Sequence, residues 1–334
     1  MIGAIAWFLG AALGSWLLTG AVRRYALRSD LLDVPNERSL HRTPTPRGGG
    51  LAIALVTLAG LTVAALLSRI PAQVGWALGV GGALVAAVGW LEDRRGVSAR
   101  LRAAVHLVAA GWAAYWIWGE LSLAAVAGVV CIIWAINLYN FMDGIDGLAG
   151  AEAGSVGIIA GALFLMAGRD DLAVVAFLVA AAATGFLGWN WPPARIFMGD
   201  VGSGFLGFTF GALALTADRS GALPVALGLL AAGVFAFDAT ITLLRRMARG
   251  ERWQEAHRSH AYQRLVQTGS THAEVTSGVL LVNLVLGLLA WLAQSGRLSV
   301  AAAVLAGIVV LTVLYFAIER RRPMFSDPAD LTLP

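Results

Sequence analysis

The 334-residue sequence predicts an all-α polytopic membrane protein of about 11 transmembrane helices, N-terminus outside and C-terminus cytoplasmic. Composition, the spacing of apolar windows and the distribution of arginine carry that reading. Hydrophobic residues make up 58% of the chain and charged ones 13%, with a mean hydropathy of +0.75. Soluble domains hold about 45–50% apolar and about 25% charged residues. A disordered chain, an ordinary cytoplasmic enzyme and a nucleic-acid binder are thereby excluded. The lone Cys131 excludes an intrachain disulfide and a cysteine-ligated metal site.

Windows able to cross about 30 Å of hydrocarbon fall near 3–22, 49–68, 72–91, 101–118, 121–139, 149–167, 171–189, 202–217, 222–244, 274–294 and 299–318. The first lacks a basic leader and a clear small-residue cleavage site, so it reads as a retained span. Glycine- and alanine-rich runs such as 75–82 predict closely approaching helices. Connections at 68–71 and 119–120 are short and force antiparallel neighbours. No soluble domain, repeat or low-complexity tract interrupts the pattern. The chain therefore reads as a single transmembrane domain over 1–334, with its polar loops near 23–48, 92–101, 140–148, 190–201 and 245–273. All 24 basic residues are arginines, and only Arg69, Arg169, Arg219 and Arg297 flank one set of connections. The other 20 mark the opposite side as cytoplasmic.

Every rich polar cluster falls on that arginine-rich side, whereas a transporter keeps its polar groups near the midplane. Asn137, Asn140, Asp143 and Asp146 step by three, which on an unbroken helix drifts round the axis. Gly144 and Gly147 allow a break that gathers them. Two carboxylates and an amide oxygen are hard ligands suited to Mg²⁺; a solvated interfacial loop is the alternative. In 190–204, Pro192 and Pro193 end one helix, and Gly199, Gly202 and Gly204 open the next. Such an entry presents free N–H groups to an anion such as a pyrophosphate. Asp200 there is either a metal ligand or the helix's N-cap.

Glu92 and Asp93 end the third span, where carboxylates require a partner or a metal; pairing with Arg94 and Arg95 is the alternative. His257, Arg258, His260, Tyr262 and Arg264 form a mixed donor set that suits phosphate or sugar oxygens better than zinc, a merely solvated basic loop being the other reading. Asp238 is an intramembrane acid and a functional candidate on that ground. His106 and His272 read as structural or solvated. Arg47, just before the glycines at 48–50, stands at headgroup level, placed to meet a lipid phosphate.

In this order, segments 33–50, 89–93, 137–149, 190–204 and 257–265 resemble the polyprenyl-phosphate N-acetylhexosamine-1-phosphate transferases. That family initiates O-antigen, enterobacterial common antigen and teichoic-acid synthesis, and it is related to the muramoyl-pentapeptide transferase of peptidoglycan. The resemblance implies an inner-membrane enzyme of the glycosyltransferase family 4 type with a cytoplasmic site, using Mg²⁺ or Mn²⁺. It would move GlcNAc-1-phosphate, or a 6-deoxy relative such as FucNAc or QuiNAc, from a UDP-sugar to undecaprenyl phosphate and release UMP, in the O-antigen branch of lipopolysaccharide synthesis. It implies Asp200 and Asn140 as metal ligands and Asp146, Asn190 and Phe197 as the uridine site. Arg47, Arg258 and Arg264 would meet the substrates, and Glu92, Asp93, Asp143, His257 and His260 would serve the chemistry. Glu92 departs from the family's usual Asp. The absence of a tri-histidine run argues against the muramoyl-pentapeptide branch. The implied partners are the lipid phosphate, the UDP-N-acetyl sugar and the bilayer, with a homodimer left open and no nucleic acid. A lipid-linked sugar transporter is the rival class.

Overall fold

The computed structural model describes residues 2–35, 40, 43–251 and 257–325. Arg38, Arg42 and Arg252 of the arginine count lie outside the described residues. The helices are α1 (Ile2–Arg28), α2 (Gly50–Leu66), α3 (Ala72–Arg95), α4 (Ala99–Trp118), α5 (Leu123–Met142), α6 (Leu148–Met166) and α7 (Asp170–Asn190), then α8 (Asp200–Arg219), α9 (Val225–Ala231), α10 (Gly233–Ala248), α11 (Ala261–Gln267), α12 (His272–Gln294) and α13 (Val300–Arg321). One hairpin, β1 (Leu32–Asp33) with β2 (Thr45–Pro46), pairs antiparallel and closes the first loop.

Each apolar window of the sequence is helical. Eight of these helices are long and apolar enough to cross a membrane by length and composition; α2, with 17 residues, is shorter, and α4 is not among the eight. The window 222–244 is not one straight helix: it is broken into α9 and α10, which together are apolar enough to cross a membrane and are bent by 89° at a short break. The break falls at Ala232, next to Gly233, where a side chain would run into Leu286 and Leu311. Packing by α12 and α13 decides the bend there; no proline announces it.

The helix starts follow local chemistry. Ser98, Ser122 and Ser299 accept from the backbone N–H three residues on, and Thr271 with Glu274 forms a capping box. The window buried most is that of α8, with α6 and α7 next, while α1 and α13 are peripheral. An apolar core of Met142, Leu148, Phe186, Met198, Phe205 and Phe235 lies directly beneath the polar loops. These loops gather where α3, α5 and α7 end and α4, α6 and α8 begin, at one end of the bundle.

Candidate active site

Asp200 is the first residue of α8. Its position-before, Gly199 (φ +76°), is the N-cap and supplies no side chain. The capping comes from another helix: buried Asp93, near the end of α3, accepts from Asp200 N and Val201 N, both at 3.1 Å. Gly202 N and Ser203 N bond to Gly199 O. The expectation that this glycine-rich entry offers free N–H groups to a pyrophosphate is therefore corrected, because the Asp93 carboxylate already occupies the anion position. The glycines serve close packing: a Cβ on Gly50 or on Gly202 would collide with the other's Cα.

Relieved of capping, the Asp200 carboxylate faces the loop cluster. Its Oδ1 accepts from Asn140 Nδ2 at 3.0 Å and its Oδ2 from Arg102 Nη1 at 2.9 Å. Asn140, at the end of α5, also donates to Ser203 Oγ at 3.1 Å. The same Arg102 nitrogen lies 3.4 Å from Glu92 Oε1, and Glu92 Oε2 accepts from Val97 N in the α3–α4 turn. The acidic pair is thus split between two bracing duties, Asp93 on α8 and Glu92 on the turn, and neither pairs with Arg94 or Arg95. Arg102 entered the sequence reading only as a topological charge; its place beside Asp200 rests on α4 folding back along α3.

Asp143 follows the last residue of α5. No hydrogen-bond donor reaches its carboxylate among the described residues. Burial, and then the charges of Asp200, Asp93, Asp146 and Asp33, hold it well above the usual carboxylate range. Asp33 arrives through the β1–β2 hairpin, a convergence no spacing in the sequence announces. Among the described residues no three His, Cys, Asp or Glu side chains close on one point as a metal cage. The donor set, carboxylate oxygens with one amide and an excess of negative charge, fits a hard cation that retains waters and substrate oxygens.

The 143–147 turn is braced from two sides. Asp146 Oδ2 accepts from Ala194 N at 3.0 Å, and its Oδ1 lies 3.3 Å from His272 Nδ1. Thr276 Oγ1 donates to Asp146 O. Buried Asn190 accepts from Gly147 N at 3.0 Å and donates to Ile196 O at 2.9 Å. The uridine role expected of Asn190 is corrected accordingly: its amide is enclosed and joined to backbone on both ends. His272, read as structural or solvated, is a structural part of this brace. Phe197 sits on a strand-like run, donating its N–H to Pro46 O and accepting from Gly49 N. Arg47 donates from Nη2 to Asp93 O at 2.6 Å.

The histidine loop enters from α10. Buried Asp238 accepts from Ala261 N at 2.9 Å and Tyr262 N at 3.2 Å, so it caps α11 as Asp93 caps α8. Its Oδ1 lies 3.5 Å from Nδ1 of buried His260. The His260 ring sits between Phe141 and Tyr262, with His257 4.8 Å away. Tyr262 donates to Phe141 O at 3.1 Å, and its hydroxyl fills the space a Cβ on Gly144 would need. Gly144 is thus required by close approach, whereas Gly147 (φ +77°) makes the turn. Burial first, then the charges of His260 and Arg246, push His257 down to about 3, so its imidazole is neutral at physiological pH. Arg258 is exposed, with its guanidinium unpartnered among the described residues. Arg264 is the clearest correction. Expected to bind substrate, it is almost fully buried and bonded to Glu319 and to Arg322 O.

The loops that converge here match known sequences over most of the chain. The model described as glycosyl transferase family 4 matches residues 75–218, which span Asp93, Asn140, Asp143 and Asp200. A probable undecaprenyl-phosphate N-acetylglucosaminyl 1-phosphate transferase of Bacillus subtilis is 28% identical over 81% of this chain and 80% of its own. A decaprenyl-phosphate N-acetylglucosaminephosphotransferase of Mycolicibacterium smegmatis is 31% identical over 86% of this chain and 80% of its own. A phospho-N-acetylmuramoyl-pentapeptide-transferase of a Synechococcus species is 32% identical over 64% and 68%. With a relative above 30% identity aligned along most of both chains, and the matched segment carrying the acidic cluster, the chain belongs to glycosyl transferase family 4, the polyprenyl-phosphate N-acetylhexosamine-1-phosphate transferases and their muramoyl-pentapeptide relatives.

Proposed function

We propose that this protein transfers an N-acetylhexosamine-1-phosphate from a UDP-sugar to undecaprenyl phosphate at the cytoplasmic face of the inner membrane. The observation that carries the reading is Asp143: a carboxylate that no donor reaches among the described residues, crowded by Asp200, Asp93, Asp146 and Asp33, with Asp200 itself bonded to Asn140. Asp143 and Asp200, with the Asn140 amide, are the residues that would hold Mg²⁺ or Mn²⁺; when bound, the ion neutralises phosphate charge and aligns the reacting oxygens. An oxygen of the lipid phosphate attacks the β-phosphorus of the UDP-sugar. The bond from that phosphorus to the bridging oxygen breaks, and UMP leaves with the oxygen. A phosphate monoester is already largely ionised at neutral pH, its second pKa being about 6, so no strong base is needed. Asp93 and Glu92 accordingly hold α8 and Arg102 in place. Arg258 and the neutral His257 supply donors to the sugar-phosphate, and His260 sets the loop against Phe141.

The test uses the purified full chain in detergent with undecaprenyl phosphate, Mg²⁺ and a panel of UDP-sugars. UMP release is expected with UDP-GlcNAc or a 6-deoxy UDP-N-acetyl sugar, none with UDP-MurNAc-pentapeptide, and none after EDTA until Mg²⁺ or Mn²⁺ is restored. The compact donor loop favours the small donor and the O-antigen branch. Efficient use of the pentapeptide donor would move the protein to the muramoyl branch. No UMP from any donor would favour a lipid-linked sugar transporter.

The orientation rests on the arginine asymmetry. A cysteine replacing Arg258, in a Cys131→Ala background, is expected to resist an impermeant thiol reagent added to intact cells and to react after lysis. Labelling from outside would place the donor loop away from the cytosolic nucleotide sugar and sink the mechanism.

A further inference from the structure

Glu319 lies near the end of α13, beyond the stretch that the family model matches. Four donors converge on it. Arg245 of α10 donates from Nη1 to Oε2 at 2.8 Å and from Nη2 to Oε1 at 2.9 Å. Arg264 of α11 donates from Nη1 to Oε2 at 2.6 Å, and Met324 N reaches Oε1 at 3.1 Å. Both guanidinium groups also lie over the Tyr315 ring, at 5.0 Å for Arg264 and 5.6 Å for Arg245.

A helix as short as α11, seven residues, has little stability of its own, so its placement is dictated by what holds its ends. Asp238 of α10 fixes the start. In its last turn, Arg264 is a buried guanidinium whose Nε and Nη2 lack partners among the described residues, and Glu319 is the carboxylate that compensates its charge. Removing one partner of a buried ion pair strands the other charge and is strongly unfavourable.

We infer that Glu319 is a positioning residue for the donor-side loop: through Arg264 and Arg245 it locks α11 and α10 to α13, and so sets His260 and Tyr262 against the 141–144 segment. Its activity arm rests on the transferase reading above; its structural arm does not. Glu319→Gln in the full chain removes the charge and keeps the shape. Amide hydrogen exchange over 261–267 should quicken about 10-fold, while that of α8 is unchanged. Turnover should fall about 10-fold or more, with KM for the UDP-sugar raised and KM for undecaprenyl phosphate unaltered. Glu319→Asp, which keeps the charge, should restore most of the protection and turnover. Unchanged protection of 261–267 in Glu319→Gln overturns the inference, and so does loss spread equally through α8. Equal damage from Asp and Gln also overturns it, by assigning the effect to length rather than charge. If the wild type releases UMP from no donor, the transferase reading fails, and the exchange measurement alone decides the role of Glu319.

Discussion

Replacing Asp200 with alanine is expected to lower UMP release by about 10³-fold or more, since metal-assisted charge stabilisation contributes several kcal/mol. The fold should survive. Asp200 does not cap its own helix: the N–H groups of Asp200 and Val201 are received by Asp93, and the substitution leaves both in place. Thermal unfolding in detergent should stay close to wild type while turnover collapses. Asp93→Ala is expected to lower both, since it leaves the N–H groups of Asp200 and Val201 without their acceptor, costs about 2 kcal/mol of stability and frees the helix start that places Asp200. Near wild-type turnover in Asp200→Ala would remove Asp200 from the reaction. An unfolded Asp200→Ala protein would return it to a purely structural role.

His260→Ala is expected to cut turnover about 10²-fold, with His260→Gln recovering little. The ring is held from three sides, by Phe141, Tyr262 and His257, with the Asp238 carboxylate 3.5 Å from Nδ1. A side chain lacking that planar shape leaves both the stack and the Asp238 contact unfilled. His257 behaves differently under acid. Burial opposes its protonation and holds it at about 3, so it stays neutral through the physiological range. A rate step between pH 6 and 7 therefore belongs to another group. An unimpaired His260→Ala enzyme would reduce the stacked loop to packing.

What the sequence made legible follows physical range. The helices could be read because hydrocarbon thickness and apolar composition act window by window. The 89° bend could not, since it arises where Gly233 meets side chains from α12 and α13, far along the chain. The acidic cluster at Asn140, Asp143 and Asp200 was legible as oxygen donors at helix ends. The duties of Asp93 and Arg102 were not, because the first depends on α3 lying against α8 and the second on α4 folding back. Asp200 left two readings open, cap or ligand, and Gly199 with Asp93 removes the first. Arg264 misled for a related reason: adjacency to His260 suggested a shared face, yet His260 is the extended N-cap of α11 and Arg264 lies within the helix, bonded to Glu319.

Asp93 and Asp238 each close a helix that lies later in the chain, α8 and α11 respectively. Synthesis proceeds from the N-terminus, so in both cases the acceptor is made before the donors it will serve. While the ribosome still holds the distal spans, α3 carries a carboxylate with no counterpart, and that provisional state belongs to the nascent chain alone. Once α8 emerges, its first two N–H groups find their acceptor only by docking on α3. The helix start that bears Asp200 is therefore completed by the same contact that seats its span.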